Sequence, residues 1–338
     1  MDDPTSILVI QLKRVGDIVV TTPVLSALRR RFPSARLGFL CERPFVPLVE
    51  NHPGVDVVEP YESRAAWSSL RRVRAARYDW IFDFQSSPRS AIVCWASGAR
   101  LTAGYRVPFW GRVYWRSVRR PTGAQSVVEG KFSLVESIAG PLGERPAAQI
   151  VLTEPEKQWA MQAMPPQSGV HSDGPVGLVP THRRASRRWP AGYFAALADG
   201  LARDGHEVWL FWGPGERQYV EAIRQKAPPA RLIPPTSLRQ MAALLQRCRL
   251  VITNDNGPMH VAVGAGAPTL TVYGPTDAQS WNPGGPRHHT VQATDVPCLG
   301  CNLNECPFGH ECMTHVQPEI MLARAREILK SGAFGAVR

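Results

Sequence analysis

The sequence predicts an α/β protein of two domains, each a mostly parallel sheet with helices on both faces. Short apolar runs of strand length alternate with amphipathic stretches of helical period, which is the pattern of strands buried between two helix layers. The alternation stops near the middle of the 338 residues and then restarts. A chain of this length and ordinary globular composition normally folds as two domains.

The first half opens with a strand, a loop and a helix. The apolar run ILVIQL is followed by KRVGD and then by an amphipathic stretch that ends before Pro33. The elements predicted in this half are strand 7–12, helix 23–31, strands 37–40 and 55–58, helix 65–77 and strand 81–84. Strands that alternate with helices in this way predict a parallel sheet.

A stretch rich in Pro, Gly and Ser, 164–175, lacks apolar periodicity and is predicted to link the domains. We therefore place the N-terminal domain at 1–165 and the C-terminal domain at 175–338. The elements predicted after the linker are strand 176–180, helix 191–203, strand 207–212, helices 216–226 and 238–246, strand 250–253, helix 260–264 and strand 269–273. The expected architecture is two Rossmann-like, doubly wound domains facing across a cleft.

The charge is distributed unevenly. Residues 1–150 contribute +8 to the net charge of +11. Such a field attracts anionic partners, although solvated arginines on helix surfaces would give the same count. No apolar run approaches the roughly 18 residues of a membrane span, and the N-terminus MDDPTS is acidic and polar, unlike a signal peptide. These features predict a cytoplasmic protein.

Two loops after predicted strands carry polar residues that could form an active site, because ligands of open α/β sheets bind at the carboxyl ends of strands. In the loop 13–17, Gly16 permits a close approach, and Asp17 could accept a proton from an attacking hydroxyl. The loop 254–260 (NDNGPMH) precedes a helix, whose N-terminal amides favour phosphate. The structural alternatives are an N-cap at Asp17 and an Asx-capped turn at 254–260.

A basic segment, 181–190 (THRRASRRWP), follows the first predicted strand of the second domain. Its four arginines could hold a diphosphate leaving group, or they could form a solvated charged surface. The sequence contains neither GxGxxG nor GxxxxGK. A nicotinamide, flavin or Walker-type site therefore has little support.

Four of the seven cysteines crowd into fifteen residues near the C-terminus and predict a structural zinc or iron site, because thiolates this close can converge on one tetrahedral ion. These cysteines are Cys298, Cys301, Cys306 and Cys312. Reduced structural cysteines or one local disulfide are the alternatives, and His310 is a possible substitute ligand. The isolated Cys41, Cys94 and Cys248 are predicted to be core residues. The odd number of cysteines and their clustering favour a protein of a reducing compartment over a secreted protein with a disulfide framework.

Five segments resemble, in the same order, the heptosyltransferases that build the inner core of lipopolysaccharide. The segments are LKRVGDIVVTTPVLSALRRRFP, RRWP, TSLRQMAALL, NDNGPMHVAVGAGAPTLTVYGPT and CLGCNLNECPFGHECM. They span nearly the whole chain, and residues 60–130 carry no matching motif. The resemblance implies a GT-B glycosyltransferase architecture and an inverting mechanism without a catalytic cofactor. It also implies an ADP-heptose donor on the C-terminal domain and an acceptor on the N-terminal domain.

The resemblance also assigns roles to residues. Asp17 corresponds to the catalytic base of the family, and Arg187 stands where the family usually has a lysine that neutralises the ADP leaving group. The residues that the resemblance and the loop positions assign to nucleotide-sugar binding are Gly16, Thr181, His182, Arg183, Arg188, Glu216, Thr236, Asp255, Asn256, Gly257, Met259 and His260.

We therefore expect an inverting glycosyltransferase that moves heptose from ADP-heptose to a hydroxyl of an anionic lipopolysaccharide core acceptor. Peripheral contact with the inner membrane face and no nucleic-acid partner are expected. The alternatives are a related transferase with another nucleotide sugar, a protein acceptor, or a zinc-stabilised nucleic-acid-binding protein. The last alternative leaves Asp17 and the loop 254–260 unexplained.

Overall fold

The structure, a computed structural model, describes residues 2–120, 126–167 and 173–331. Its contacts divide the chain into two compact units, Met1–Val151 and Leu152–Arg338. The division thus falls before the stretch 164–175 that we predicted as the linker, and residues 168–172 of that stretch lie outside the described residues. None of the helices in the described ranges is long and apolar enough to cross a bilayer.

The first unit contains a parallel six-stranded sheet in the order β3-β2-β1-β4-β5-β6. Its strands are β1 Ser6–Ile10, β2 Arg36–Glu42, β3 Val57–Tyr61, β4 Trp80–Asp83, β5 Leu101–Tyr105 and β6 Arg116–Val118. Its α-helices are α1 Val15–Val19, α2 Thr22–Arg31, α3 Ala66–Ala75, α4 Pro88–Ser97 and α5 Val127–Ala139. Three 3-10 helices span Arg43–Leu48, Ser63–Ala65 and Trp110–Val113.

The second unit contains another parallel six-stranded sheet, in the order β12-β11-β10-β7-β8-β9. Its strands are β7 Val176–Val179, β8 Val208–Leu210, β9 Arg231–Leu232, β10 Leu250–Asn254, β11 Thr269–Val272 and β12 His288–Val291. Its α-helices are α6 Glu154–Ala163, α7 Ala191–Arg203, α8 Arg217–Lys226, α9 Leu238–Gln246, α10 Gly257–Gly264, α11 Ala278–Trp281, α12 Glu311–Thr314 and α13 Pro318–Ser331. A 3-10 helix spans Ala185–Arg187.

The central strands of both sheets are apolar because helices cover both of their faces. Every residue of β1, β7 and β10 is buried. This is the burial that parallel sheets require. Counted along the chain, the two sheets also have the same strand order, which is that of a doubly wound Rossmann-like domain. The predicted fold class is confirmed.

Helix α6 shows why the division between the units falls early. We predicted its residues to lie in the first domain, but it packs against α9 of the second unit. Arg239 on α9 donates to both carboxylate oxygens of Glu156 on α6, with Nη2 to Oε2 at 2.6 Å. This ion pair lowers the pKa of Glu156 to about 2.

Several predicted elements begin one to three residues from their predicted start; the helix predicted at 260–264, for example, begins at Gly257. The helix predicted at 23–31 begins at Thr22 and is preceded by the separate short helix α1. The strand predicted at 55–58 is Val57–Tyr61 and includes Pro60. A proline is tolerated there because β3 is an edge strand with no further partner for its backbone.

Candidate active site

Each sheet reverses its strand order between two central strands, and the predicted polar loops follow these strands. The reversal lies between β1 and β4 in the first sheet, and between β7 and β10 in the second. The loop 13–17 follows β1, the segment 181–190 follows β7, and the loop 254–260 begins at the last residue of β10. A doubly wound sheet opens a ligand crevice at this point. The polar loops therefore occupy the binding edge of each sheet.

Asp17 lies inside α1 and does not cap it. The N-cap is Arg14, which has a φ of 78° and makes no side-chain cap hydrogen bond. Gly16 is buried beside Asp17 in the same helix. Among the described residues, none forms a hydrogen bond with the Asp17 carboxylate; only its backbone oxygen accepts one, from Thr21. The N-cap alternative is therefore wrong, and the carboxylate has no structural hydrogen bond to maintain.

The electrostatic environment of Asp17 has two opposing parts. Burial raises its pKa above the ordinary value, and the charges of Lys131, Arg120 and Arg14 oppose this shift. Three cations around one carboxylate keep it ionised more readily than burial alone would allow. The arrangement suits a carboxylate that must accept a proton near neutral pH.

Lys131 on α5 is a buried residue of this site that the sequence reasoning missed. Its Nζ donates to Oε1 of Gln11 at 2.9 Å and lies 4.6 Å from the ring centroid of Phe84. Gln11 in turn donates to Oε1 of Gln85 at 3.1 Å. Because Gln11 follows β1 and Gln85 follows β4, the lysine sits at the reversal of the first sheet.

A signal for Lys131 was present in the sequence. Residues 127–139 (VVEGKFSLVESIA) form an amphipathic helix, and Lys131 lies on its buried face beside Phe132 and Val135. A lysine on an apolar face is rare unless it has a partner. Burial lowers its pKa to about 8, and the charge of Asp17 opposes the shift.

In the second unit, two asparagines hold the loops after β7 and β10 together. Asn254 accepts from Trp189 N at 2.9 Å and donates to Pro180 O at 3.0 Å. Asn256 donates from Nδ2 to Thr181 O at 2.9 Å, and its Oδ1 caps α10 by accepting from Met259 N at 2.8 Å. The Asx-cap alternative is thus confirmed for the side chain of Asn256, a residue that we had also assigned to nucleotide-sugar binding.

A buried ion pair joins the same two loops. Nη1 of Arg187 lies 3.2 Å from Oδ2 of Asp255, and its Nη2 donates to Oδ1 of Asn302 at 2.5 Å. Within the described part of the chain, the buried Nε of Arg187 has no hydrogen-bond partner. Burial raises the pKa of Asp255, and the charge of Arg187 opposes the shift. The pair places a desolvated cation at the carboxyl end of β7.

The two histidines predicted at this site are neutral at physiological pH. Burial lowers the pKa of both His182 and His260 to about 4. Nδ1 of His182 accepts from Arg184 N at 2.8 Å, which fixes its ring. Nδ1 of His260 is buried without a partner among the described residues. Neither ring therefore supplies positive charge.

The other predicted residues spread along the same sheet edge. Arg183 is exposed, whereas Arg188 donates to His182 O and lies 5.5 Å from the Tyr219 ring centroid. Glu216 follows β8 and accepts from Gly213 N at 2.8 Å. Three further positions are Thr236 before α9, Gly257 as the first residue of α10, and the fully buried Met259. Met259 is therefore a core residue.

The four clustered cysteines line one small pocket. Cys298, Cys301, Cys306 and Cys312 share it with Ser186 and Phe308, among others. Burial raises the pKa of Cys312 to about 11, with the other three thiols adding to the shift. Thiolates are the type of ligand that soft metal ions bind. Nevertheless, no three His, Cys, Asp or Glu side chains of the described residues are arranged as a metal-binding group. Cys41, Cys94 and Cys248 are buried, as predicted.

The family model of glycosyltransferase family 9 (heptosyltransferase) matches residues 66–311. This chain belongs to glycosyltransferase family 9. It is therefore a transferase enzyme, and the nucleic-acid-binding alternative is set aside. The match also covers most of 60–130, where we found no family motif.

Individual relatives resemble this glycosyltransferase over most of its length. Lipopolysaccharide heptosyltransferase 3 of Escherichia coli is 26% identical over 290 residues, which are 79% of this chain and 83% of that protein. A family 9 glycosyl transferase of Veillonella parvula superposes with a TM-score of 0.85 at 21% identity, covering 97% of both chains. The E. coli ADP-heptose lps heptosyltransferase II superposes with a TM-score of 0.79 at 22% identity, covering 97% of this chain and 99% of that one.

Proposed function

We propose that this glycosyltransferase moves heptose from ADP-heptose to a hydroxyl of a lipopolysaccharide core acceptor, with inversion at the anomeric carbon. The observation that carries the proposal is the Asp17 carboxylate, which lies at the reversal of the first sheet among three cations and makes no hydrogen bond within the described residues. The names of the relatives support the sugar and the acceptor class.

The proposed reaction has one displacement step. The acceptor hydroxyl attacks the anomeric carbon and its proton passes to Asp17. The bond from the anomeric carbon to the diphosphate oxygen breaks on the opposite face, and ADP leaves with the bonding electrons. Arg187 would stabilise the charge that develops on the diphosphate. The protein supplies the cation for this step itself.

The remaining contacts with the donor are assigned to residues at the carboxyl edge of the second sheet. We assign the diphosphate to Thr181, His182, Arg183, Arg188 and the backbone at Gly257, because they follow β7 and β10. Asp255 and His260 would face the sugar, and Glu216 and Thr236 the ribose and adenine. Asn256 and Met259 act through the loop that they hold in shape. Gly16 would keep the approach to Asp17 open.

Nucleotide binding tests the donor. We expect ADP to raise the melting temperature of the purified protein more than UDP, GDP or CDP at the same concentration, because a ligand that binds only the folded state stabilises it. At about 100 times its Kd, ADP should add roughly 2.7 kcal/mol. A preference for another nucleotide would replace the donor, and no response to any of them would contradict the proposal.

The acceptor needs a separate assay. Transfer from ADP-heptose to truncated lipopolysaccharide, compared with transfer to a secreted protein from the same cells, distinguishes the lipid from a protein acceptor. We expect labelled heptose in the lipopolysaccharide. Label in the protein alone would contradict the proposed acceptor class and leave the donor assignment intact.

Lys131→Met should move the acidic limb of the activity profile to higher pH. Asp17 works ionised, so activity is lost as the pH falls through its pKa, and removing a nearby positive charge raises that pKa. Lys131→Arg keeps the charge and should leave the limb near its parental position. The measurement is kcat against pH for the three proteins. An unmoved limb in a folded Lys131→Met variant would show that the lysine is only structural.

We also propose a structural zinc or iron ion at the four cysteines. The loop that carries them supports Arg187, because Asn302 accepts from Arg187 and Asn304 O accepts from Ser186 Oγ at 2.9 Å. An ion held by these thiols would stiffen that loop and take no part in the reaction.

Removal of the ion should lower the melting temperature and kcat together. Elemental analysis of the native protein should find about one zinc or iron per chain. Cys301→Ser, with the core substitution Cys94→Ser as the matched control, separates metal loss from general loss of a cysteine. Native protein without metal would refute the site. A metal-free protein with full stability but no turnover would contradict the structural role.

The proposed localisation of the enzyme is the cytoplasm, at the inner face of the membrane. A lipopolysaccharide core acceptor is lipid-linked and anionic, and the excess of arginine in residues 1–150 favours such a surface. Fractionation of cells is the direct measurement: we expect the enzyme partly in the membrane pellet and released from it by salt.

A further inference from the structure

The first unit exposes several large apolar side chains in one part of the sequence. The exposed fractions are 78% for Trp67, 43% for Ile92, 75% for Trp95, 88% for Phe109, 41% for Trp110 and 54% for Trp115. A single exposed apolar residue is ordinary, but a group of them on neighbouring elements marks a binding surface. The activity proposed above uses none of these six.

These residues lie on neighbouring elements. Helix α3 packs beside α4, and α4 packs against the 3-10 helix Trp110–Val113. At one end, Arg89 of α4 donates to Ser63 Oγ at 3.4 Å; at the other, Arg74 of α3 donates to Ala96 O at 3.0 Å. The two helices therefore run in the same direction, side by side.

On both helices the exposed residues form one stripe. The stripes are Trp67, Arg71 and Arg74 on α3, and Arg89, Ile92 and Trp95 on α4. Their spacings of three and four residues put the members of each stripe on one helix face. The opposite faces, which include Val73 and Val93, are buried. Apolar and cationic side chains thus share the outer surface of both helices.

The charge of this region is mostly positive. Residues 63–120 contain twelve arginines and two aspartates, which is +10 of the net charge of +11. Neither aspartate is placed to neutralise the exposed arginines. Asp83 is buried, and the Asp79 carboxylate accepts hydrogen bonds from Thr5 and Ser6. Arg72 lies 3.4 Å from Glu59 and Arg89 lies 3.8 Å from Glu42, whereas in the described part of the chain no carboxylate lies within 4 Å of Arg71, Arg112 or Arg116. The surface is therefore strongly positive as well as aromatic.

We propose that this aromatic–arginine surface, formed by the six apolar residues above and by Arg71, Arg74, Arg89, Arg112 and Arg116, docks the enzyme on an anionic lipid bilayer. Tryptophan is favoured at the membrane interface because its ring is apolar with one polar edge, and arginine pairs with lipid phosphate. Single-stranded nucleic acid prefers a charged groove, whereas Trp67, Ile92 and Trp95 lie on the outer faces of two helices.

The surface also leads to the catalytic edge of the first sheet. Strand β6 follows Trp115, and Arg120 comes two residues after that strand. The Arg120 guanidinium lies 4.6 Å from the ring centroid of Tyr105 and is one of the charges acting on Asp17. A bilayer on this surface would bring a lipid-linked acceptor near Asp17. In that respect the inference rests on the proposed function.

Vesicle flotation with the full-length enzyme tests the surface without donor or acceptor. We expect binding to vesicles of phosphatidylcholine mixed with phosphatidylglycerol, weakened by salt, and none to phosphatidylcholine alone. The double variant Trp67→Ser and Trp95→Ser should bind about tenfold more weakly, and Arg71→Gln about fivefold. Both tryptophans are largely exposed, so the fold should tolerate the change.

The matched controls are Ile320→Ser and Arg203→Gln, which alter an exposed apolar residue and an exposed arginine of the second unit. Both should bind vesicles like the parent. Equal binding by the double tryptophan variant and the controls would overturn the inference, as would a parent that does not float.

Two other outcomes would also overturn it. A parent that self-associates without vesicles, and whose tryptophan variant does not, would make the surface a contact between copies of this chain. Tighter binding to single-stranded DNA than to anionic vesicles would assign it to nucleic acid. Because flotation needs no nucleotide, a failure here is distinguishable from a failure of the ADP stabilisation test.

Discussion

Asp17→Asn should reduce kcat by about two to four orders of magnitude while the protein stays folded and continues to bind ADP. A positioned general base contributes a rate factor of this size, and an amide of the same shape cannot accept the proton. Within the described residues the Asp17 carboxylate has no hydrogen-bond partner, so the substitution breaks no such contact. The loss should therefore be confined to turnover.

The stability of the same variant gives an independent check. The folded-state pKa of Asp17 is raised, so its ionisation costs stability as the pH rises from the ordinary value of 3.8 through the raised pKa. At any pH above the raised pKa, Asp17→Asn should be as stable as the parent or slightly more stable.

Kinetics at saturating donor and thermal melts at neutral pH measure the two effects. The matched control is Asp3→Asn, an exposed aspartate near the N-terminus. A variant that keeps at least a tenth of the parental kcat would exclude Asp17 as the base. Loss of both turnover and folding would assign it a structural role instead.

The sequence predicted best those helices whose ends are marked by residues next to them in the chain. Helices Ala191–Arg203 and Leu238–Gln246 match the predicted bounds, because Pro190 ends the preceding segment and Ser237 caps the second helix. Helix α4 was not predicted, since Ile92 and Trp95 lie on its exposed face and conceal the apolar period. Exposed apolar residues obscure the periodic pattern by which an amphipathic helix is predicted.

The same contrast holds for the active-site residues: those next to a predicted strand were identified, and those brought together by the fold were not. Asp17 and the loop 254–260 were identified because polar residues directly follow apolar strands. The contact of Lys131 with Gln11 joins residues far apart in the chain, and only the fold brings them together. The same is true of Arg187 and Asp255, whose pairing connects the ends of two strands. A residue type suggests chemistry, whereas its partner depends on topology.

Arg187→Gln should lower kcat by about two to three orders of magnitude, the loss expected when one preorganised donor to a developing negative charge is removed. In this structure, Arg187 is a largely buried cation at the carboxyl end of β7, with Nε free of protein partners among the described residues. A low local dielectric strengthens its interaction with a departing diphosphate. Arg187→Lys keeps the charge and should recover much of the activity.

The ion pair complicates this experiment, because Arg187→Gln leaves Asp255 buried without its cation. Burial already raises the pKa of Asp255, and loss of the Arg187 charge should raise it further, which favours the protonated carboxyl. The double variant Arg187→Gln and Asp255→Asn removes the unpaired acid and should restore stability without restoring kcat. If the double variant recovers both stability and kcat, Arg187 serves the fold of the loop, and the diphosphate must be stabilised by another group. Because Asp255 is itself assigned to the sugar, Asp255→Asn alone is the control: if only stability returns and the double variant is far less active than Asp255→Asn, the arginine acts on the leaving group.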